Sequence, residues 1–253
     1  MTGLPFRTLL VAAPFVGSLA SMSTSMGSGR LLVDRILADP PGVHSMDFSE
    51  APEIGVWSTD RDCYEFIADR FAWAGARTLE TGSGISTVLL AMLGTEHTVV
   101  TPSQAEVDRI VAYCAARDIP TEQITFAVGP SDTVLPALDG PLDMVLIDGC
   151  HGFPMTIIDW YYGAGRLVRG GIVIFDDVQL PAVEMIRALL VSDPRWAPEA
   201  GSPKWSAWRR LDEGPLGQDW FEQPWFTGPP RPTMAELSRR AMGRAKRLLS
   251  RPA

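Results

Sequence analysis

Acidic residues and one histidine follow two apolar runs of the sequence. The stretch VLIDGCHGFP, residues 145–154, ends an apolar run on Asp148 and places His151 three residues later. A second run, GGIVIFDDV, ends on Asp176 and Asp177. Such groups are costly to bury unless something nearby needs them. The pattern therefore indicates a functional site at the ends of two buried strands.

The three carboxylates are predicted to meet at one edge of a sheet. The segment between Asp148 and Asp176 has the length of a right-handed helical crossover, which brings the carboxyl ends of two parallel strands together. Clustered anions require a counter-charge, and oxygen ligands without thiolates or a run of histidines suit Mg²⁺, Mn²⁺ or Ca²⁺. We therefore predict that Asp148, Asp176 and Asp177 bind a divalent cation, with Mg²⁺ or Mn²⁺ favoured.

His151 has two interpretations. Because imidazole is half-ionised near neutral pH, His151 could act as a general base beside Asp148. It could equally hydrogen-bond its own loop or orient one of the carboxylates. Asp177 also has a second interpretation, as an acceptor that stabilises its loop. Asp159, in the helical segment between the two runs, is expected to be a solvated or salt-bridged surface residue.

A glycine-containing turn follows an earlier strand. The stretch LETGSGIS, residues 79–86, places Glu80 before Gly82 and Gly84. Glycines let the backbone turn tightly and approach a ligand beneath a helix N-terminus. A carboxylate here would repel a pyrophosphate but attract an ammonium group, and Thr87 stands where a dinucleotide motif has its third glycine. The turn therefore favours a cationic ligand; a tight turn without any ligand is the alternative.

Strand signals recur along the middle of the chain. They are ARTLE, HTVVT, ITFAVG, LDMVLIDG and GGIVIFDDV, followed by a late strand near KWSAWRRL. Strands this apolar are typical of a parallel sheet that is covered on both faces. Such a sheet binds its ligands at the carboxyl ends of its strands, where the acids and the glycine turn are found.

Helix signals lie between these strands. Residues 62–74 show helical spacing, with Trp73 in the apolar set, and another helix is predicted around residues 155–168. Ser103 and Glu106 have the spacing of a capping box at the start of a helix. Because strand and helix alternate, the sequence predicts an α/β fold with a doubly wound, mostly parallel sheet.

The glycine turn resembles the first motif of the class I S-adenosylmethionine-dependent methyltransferases, which reads acid-x-Gly-x-Gly-x-Gly/Ser/Thr. The resemblance extends over residues 60–210, and DGCHGFP with GGIVIFDDV is similar to small bacterial methyltransferases related to metal-dependent O-methyltransferases of sugars and catechols. It implies S-adenosylmethionine as cofactor and a divalent ion that activates the acceptor hydroxyl. The cofactor-binding residues that it implies are Glu80, Gly82, Ser83, Gly84, Ser86 and Asp148.

The second strand departs from this family, in which an acid at the strand end binds both ribose hydroxyls. Here HTVVT ends on Thr101. Either Thr101 and Ser103 make single hydrogen bonds to the ribose, or Glu106 reaches back to it. The capping box is the alternative use of Ser103 and Glu106.

A further loop resembles the adenine-side loop of the family. It reads VGPSDTVLPAL and implies Gly129, Ser131 and Asp132 as cofactor contacts. Asp132 could instead cap the helix that follows.

Bulk composition limits the partners. A chain of 253 residues with 46% apolar side chains can bury the core of one large domain. Its net charge of -8 argues against nucleic acid as a partner, because an acidic surface is repelled by the phosphate backbone. Three cysteines without a CxxC pair suit a reducing cytoplasm. We expect a cytoplasmic protein with a small-molecule acceptor.

The N-terminal stretch FRTLLVAAPFVGSLASMS has a short apolar run and small residues that resemble a signal peptide. Pro14 interrupts the run, and only one basic residue precedes it. The alternative is a segment that packs on the domain or on a partner subunit.

Composition divides the chain into four segments. We predict an N-terminal helical extension over residues 1–60, a methyltransferase domain over 61–212, a Trp- and Pro-rich loop over 213–232 and a basic amphipathic helix over 233–253. The aromatic residues near the loop could line the acceptor site or pack in the core. The basic helix could lie on an anionic membrane or dock on the acidic body of its own or a neighbouring subunit, and we expect a homo-oligomer.

These features together predict an S-adenosylmethionine-dependent methyltransferase that acts, with metal assistance, on a hydroxyl of a small molecule. A sugar or glycosylated natural product is favoured over a catechol-like acceptor. Two alternatives stay open, because a fold alone does not decide function. One is an enzyme of the same fold with metal-dependent hydroxylase or hydrolase chemistry, and the other is a non-catalytic binding or scaffold protein.

Overall fold

The structure of the protein is a computed structural model. It describes residues 19–45, 54–73, 75–217 and 219, with the backbone alone for residues 19–28. The signal-like segment up to residue 18, the basic helix and most of the Trp- and Pro-rich loop lie outside these residues.

A seven-stranded sheet forms the centre of the described chain. Its strands stand in the order β5-β4-β3-β6-β7-β9-β8; the first five are parallel, whereas β9 runs antiparallel to β7 and β8 antiparallel to β9. The strands are β3 Arg77–Thr81, β4 Glu96–Thr101, β5 Ile124–Val128, β6 Leu142–Ile147, β7 Leu167–Phe175, β8 Trp196–Gly201 and β9 Ser206–Arg210. The predicted mostly parallel sheet and the late strand are confirmed.

Helices cover both faces of this sheet, as the doubly wound prediction requires. They are α1 Leu19–Ala38, α2 Arg61–Phe71, α3 Ile85–Leu93, α4 Gln104–Ala115, α5 Ser131–Val134, α6 Met155–Asp159 with a wider π-helical turn at Trp160–Ala164, and α7 Pro181–Ser192. A separate ribbon pairs β1 His44–Ser45 with β2 Ile54–Gly55. None of the described helices is long and apolar enough to cross a membrane.

Alternation along the strands divides the core between the two faces. On β6, Met144 and Leu146 pack in the cluster formed with α1 to α4, whereas Val145 and Ile147 pack in the cluster formed with α7. Successive side chains of a strand point to opposite faces, so a strand covered on both sides must be apolar throughout. This is why β6 is apolar without interruption from Met144 to Ile147.

Helix α2 ends earlier than the apolar pattern of residues 62–74 predicts. Helix α2 ends at Phe71, and Trp73, which the pattern placed on the buried side, is 48% exposed. The backbone leaves the helical region at Ala72 and then turns at Gly75, whose φ of 83° suits glycine. The prediction of a helix to residue 74 is therefore wrong at its C-terminal end.

The helix predicted over residues 155–168 also stops early, because a buried arginine terminates it. Arg210, from β9, donates hydrogen bonds of 2.9 to 3.0 Å to the carbonyl oxygens of Ala164, Gly165 and Leu167. The last carbonyls of a helix lack partners within it. The guanidinium satisfies them, so the chain can leave the helix and enter β7.

We expect Arg210→Leu to lower the free energy of unfolding by about 2–4 kcal/mol, because buried carbonyls would lose their donor. The matched control is Arg209→Leu, in which a half-exposed guanidinium beside Glu199 is lost at a cost of about 1 kcal/mol or less. Urea unfolding of both variants measures the difference. Equal destabilisation would show that Arg210 does not terminate the helix in this way.

Candidate functional site

A cavity of about 670 Å³ opens at the carboxyl ends of the parallel strands. It receives residues from the ends of β3, β4, β6 and β7, which is where a sheet of this topology binds ligands. The sequence-predicted residues on its wall are Gly82, Ser83, Gly84, Ser86, Thr101, Ser131, Asp148, His151, Asp176 and Asp177. The glycine turn and the acidic cluster therefore face one space.

The two glycines of the turn have different roles. Gly82 has a φ of 96°, and a Cβ there would lie 2.3 Å from the carbonyl oxygen of Asp148. Gly84 has extended backbone, and a Cβ there would meet only the His44 ring, at 3.5 Å. Gly82 is thus required for the close packing of β3 against the end of β6, while Gly84 leaves room in the cavity.

Glu80 supports the turn from below and is not on the cavity wall. Only 1% of the residue is exposed, and its carboxylate accepts a hydrogen bond from the Thr87 hydroxyl, which itself accepts one from the Gly84 amide at 2.9 Å. The imidazole of His97 lies 3.1 Å from the same carboxylate. The predicted direct contact of Glu80 with a ligand is corrected, because its side chain points to the buried α3 face.

Glu106 reaches back across the end of β4, as one of the two predicted alternatives required. Its carboxylate accepts hydrogen bonds from the hydroxyls of Ser83 at 2.9 Å and Thr101 at 3.0 Å, and lies 3.2 Å from Nδ1 of His44. Ser103 caps α4 by accepting from the Glu106 amide, so only half of the predicted capping box forms. Ser103 itself is not on the cavity wall.

The Glu106 carboxyl is ionised in this setting. Burial alone would raise its pKa, but the hydrogen bonds from His44, Ser83 and Thr101 lower the pKa below its ordinary value. A carboxylate therefore stands beside Thr101 although no acid belongs to the strand itself.

The predicted adenine-side residues divide between the wall and its surroundings. Ser131 lines the cavity at the start of α5. Gly129 lies just before it in the turn that leaves β5, and Asp132 is exposed in the first turn of α5, where Pro130 and not Asp132 is the N-cap. Of the three, Ser131 alone faces the cavity.

The acidic cluster has a cationic partner within the chain. Nζ of Lys204 lies 2.7 Å from Oδ1 of Asp177 and 3.2 Å from Oδ2 of Asp176. The Thr59 hydroxyl donates to the other oxygen of Asp176 at 2.5 Å, and the Gln179 amide donates to Asp177 at 3.0 Å. Groups of the chain therefore contact both oxygens of Asp176 and one oxygen of Asp177.

The described residues give no support to the predicted metal site. In the part of the chain that the structure describes, no group of three His, Cys, Asp or Glu side chains could hold a metal ion. In the predicted ligand set of Asp148, Asp176 and Asp177, the ammonium of Lys204 lies against two of the three carboxylates, where a cation would have to bind.

Asp148 and Asp177 have pKa values shifted in opposite directions. Burial, followed by the charges of Asp176 and Glu80, raises the pKa of Asp148 well above its ordinary value. Burial would also raise the pKa of Asp177, but the hydrogen bonds from Lys204 and Gln179 lower it. The pKa values of two neighbouring acids at the base of the cavity are therefore shifted in opposite directions.

His151 is placed as a base would be. Its Nε2 lies 3.7 Å from Asp148 and 3.5 Å from Asp177, beyond hydrogen-bond distance, and its buried Nδ1 has no hydrogen-bond partner among the described residues. Burial lowers the pKa of the imidazole, which outweighs the opposing charges of Asp177 and Asp176. His151 is consequently neutral at pH 7 and able to accept a proton.

The sequence around this site matches a known domain family. A family profile described as a methyltransferase domain matches residues 79–178, from the glycine turn to the residue after Asp177. The chain carries a methyltransferase domain. Its strand order is the one typical of class I methyltransferases. The match favours an enzyme that transfers methyl groups over the hydroxylase, hydrolase and scaffold alternatives.

Solved structures share this fold at low sequence identity. The SAH-bound Podospora anserina methyltransferase PaMTH1 is 16% identical, with a TM-score of 0.52 over 81% of this chain and 100% of that chain. A Klebsiella pneumoniae protein provisionally assigned as an O-methyltransferase is 14% identical, with a TM-score of 0.51 over 78% and 93%. A Staphylococcus aureus protein provisionally assigned as a caffeoyl-CoA O-methyltransferase is 16% identical, with a TM-score of 0.52 over 61% and 86%. No curated protein matches the chain by sequence.

Several cavity residues of this methyltransferase were not predicted. His44 and Trp57 stack at 5.1 Å on the wall, and Lys204 comes from the turn between β8 and β9. Asp159, expected on the surface, is 1% exposed and faces the cavity, and its Oδ1 has no hydrogen-bond partner within the described chain. Of these residues, only Lys204 has a feature in the sequence that could have identified it, since the chain has just one other lysine, Lys246.

The two glycines of the turn should respond differently to alanine. Gly82→Ala should lower the melting temperature sharply or prevent folding, because its Cβ would overlap the backbone of Asp148. Gly84→Ala should fold normally and weaken ligand binding, because the methyl group would occupy cavity space. Thermal unfolding and titration with S-adenosylhomocysteine give both readouts. A stable Gly82→Ala variant would contradict the assignment of that close contact.

Proposed function

We propose that this methyltransferase transfers a methyl group from S-adenosylmethionine to a hydroxyl of a small molecule. The observation that carries the proposal is that one cavity joins the glycine turn to His151, whose imidazole is neutral at pH 7. One side can hold a cofactor, and the other can remove a proton.

The cofactor side is suited to a cationic nucleoside. The ionised Glu106 stands where ribose hydroxyls would need an acceptor, and a carboxylate has about four acceptor sites, of which Ser83, Thr101 and His44 occupy three. Acidic walls also attract a sulfonium and an ammonium group. The SAH bound to the Podospora anserina methyltransferase is consistent with this cofactor.

The acceptor side favours a small molecule. A volume of about 670 Å³ is within the usual range of about 300–1,000 Å³ for ligand cavities, and it suits a cofactor with a modest acceptor. Trp57 and Tyr64 line the wall, and aromatic faces suit sugar rings and flat rings alike. We favour a sugar or glycosylated natural product ahead of a catechol-like acceptor, and the two provisionally assigned O-methyltransferases are consistent with a hydroxyl.

Residues of the chain itself remove the proton of the acceptor hydroxyl. When bound, S-adenosylmethionine supplies an electrophilic methyl group. His151 accepts the proton of the acceptor hydroxyl, whose oxygen forms the new C–O bond while the C–S electrons stay on sulfur. Asp177, ionised and 3.5 Å away, stabilises the imidazolium that results.

We further propose that the protein is cytoplasmic and forms a homo-oligomer. Residues 233–253 then contact a subunit or a membrane surface.

Glu106→Gln tests the cofactor side. The amide keeps the shape but loses the charge, so we expect the Kd for S-adenosylhomocysteine to rise about 10-fold, equivalent to about 1.4 kcal/mol. Glu184→Gln, at an exposed position on α7, is the matched control and should bind as wild type does. Calorimetry measures all three proteins. No saturable binding by wild type would refute the cofactor, whereas unchanged binding by Glu106→Gln would refute only this contact.

His151→Ala tests the acceptor side. We expect kcat for methyl transfer to hydroxyl acceptors to fall about 10²-fold to 10⁴-fold, with S-adenosylhomocysteine affinity unchanged. The base works in its neutral form and its pKa is lowered, so wild-type kcat should decline as pH falls, with a midpoint below pH 6.5. Transfer of a labelled methyl group measures both. A His151→Ala variant that retains wild-type kcat would exclude His151 as the base.

A further inference from the structure

The acidic pair at the end of β7 is neutralised by a group that belongs to the chain. We propose that the ammonium of Lys204 takes the place of a divalent cation at Asp176 and Asp177, so that methyl transfer needs no metal, and that its remaining N–H donor holds the acceptor oxygen. The second half of this proposal rests on the proposed function; the first half does not.

The contacts of Lys204 are those of a bound cation. An ammonium has three N–H donors. Asp177 at 2.7 Å and Asp176 at 3.2 Å account for two of them, and the side chain also lines the cavity. The third donor is therefore available to an oxygen of a ligand in the cavity.

The backbone holds this lysine in position from both sides. The carbonyl oxygen of Lys204 accepts a hydrogen bond of 2.8 Å from the amide of Val178, immediately after the acidic pair. The amide of Lys204 donates to the Ser202 hydroxyl at 3.0 Å. In addition, β9 pairs with β7 in a register that sets Ser206 opposite Phe175. The β8–β9 hairpin thus delivers the ammonium to the strand end that carries the acids.

A divalent ion and this ammonium exclude each other. A Mg²⁺ ion binds carboxylate oxygens at about 2.0–2.1 Å, so an ion on the same oxygens would stand within a few ångströms of Nζ of Lys204. Two positive charges at that separation repel strongly in a partly enclosed site. Binding a metal would require Lys204 to leave and both its ion pairs to break.

The choice of lysine fits this role. The chain has two lysines among its 22 basic residues, so an ordinary ion pair in this protein is made by arginine. An ammonium is a compact point charge, whereas a guanidinium is a broad planar group that would extend into the cavity. At this position the chain carries the side chain that most resembles a small cation in size and charge.

Metal binding by the protein tests the first half without any assay of activity. We expect wild-type protein, stripped with chelator and titrated with Mn²⁺, to show no stoichiometric site by electron paramagnetic resonance. Lys204→Met removes the charge and keeps the length, and it should acquire one Mn²⁺ site because the acids lose their counter-charge. Arg209→Met, which removes an exposed cation from the adjoining strand, should acquire none. Tight one-to-one Mn²⁺ binding by wild type would overturn the proposal, whether or not the variants fold.

Methyl transfer tests the second half. Wild-type turnover should be the same in EDTA as in Mg²⁺, and Lys204→Met should lose at least 100-fold in kcat while S-adenosylhomocysteine affinity stays within 3-fold, by analogy with about 10²-fold or more for a lost preorganised donor. Lys204→Gln, which keeps a donor, covers the case in which Lys204→Met fails to fold. Loss of wild-type turnover in EDTA, or full turnover in Lys204→Met, would refute the role of Lys204. Absence of S-adenosylhomocysteine binding by wild type would instead refute the proposed function.

Discussion

The close contact between the ends of β3 and β6 is the constraint on which the site depends. The amide of Asp148 donates to the carbonyl oxygen of Thr81, and Gly82 approaches the Asp148 carbonyl so closely that no side chain fits between them. The turn that follows β3 and the acid that ends β6 are therefore held side by side. This contact sets how closely the glycine turn approaches Asp148.

Much of this arrangement could be predicted because it follows from strand order. Parallel strands place their carboxyl ends at one edge, so Asp148, Asp176 and the glycine turn had to converge. The apolar runs 144–147 of β6 and 172–175 of β7 indicated burial on both faces, and the structure confirms it. These inferences need only the direction of each strand and the alternation of its side chains.

The unpredicted parts depend on distances between side chains that are remote in sequence. Lys204 reaches Asp177 from 27 residues away because an antiparallel hairpin closes the sheet, and no local pattern encodes that approach. The same sequence allows the Glu106 side chain either to cap its own helix or to accept a hydrogen bond from Thr101. The need for a counter-charge at the acids could be predicted, but the approach of Lys204 could not, because a metal and a lysine satisfy the same electrostatic requirement.

The total charge in the cavity stays the same during the proposed reaction. A sulfonium loses its positive charge when its methyl group leaves, and the proton taken up by His151 restores one positive charge nearby. The acids at the base of the cavity therefore face the same total charge before and after transfer, and they need no rearrangement to remain neutralised. A second consequence concerns release. The demethylated cofactor is neutral at sulfur, so an ionised Asp177 and Glu106 attract it less than they attract the methyl donor, which favours exchange of product for new cofactor.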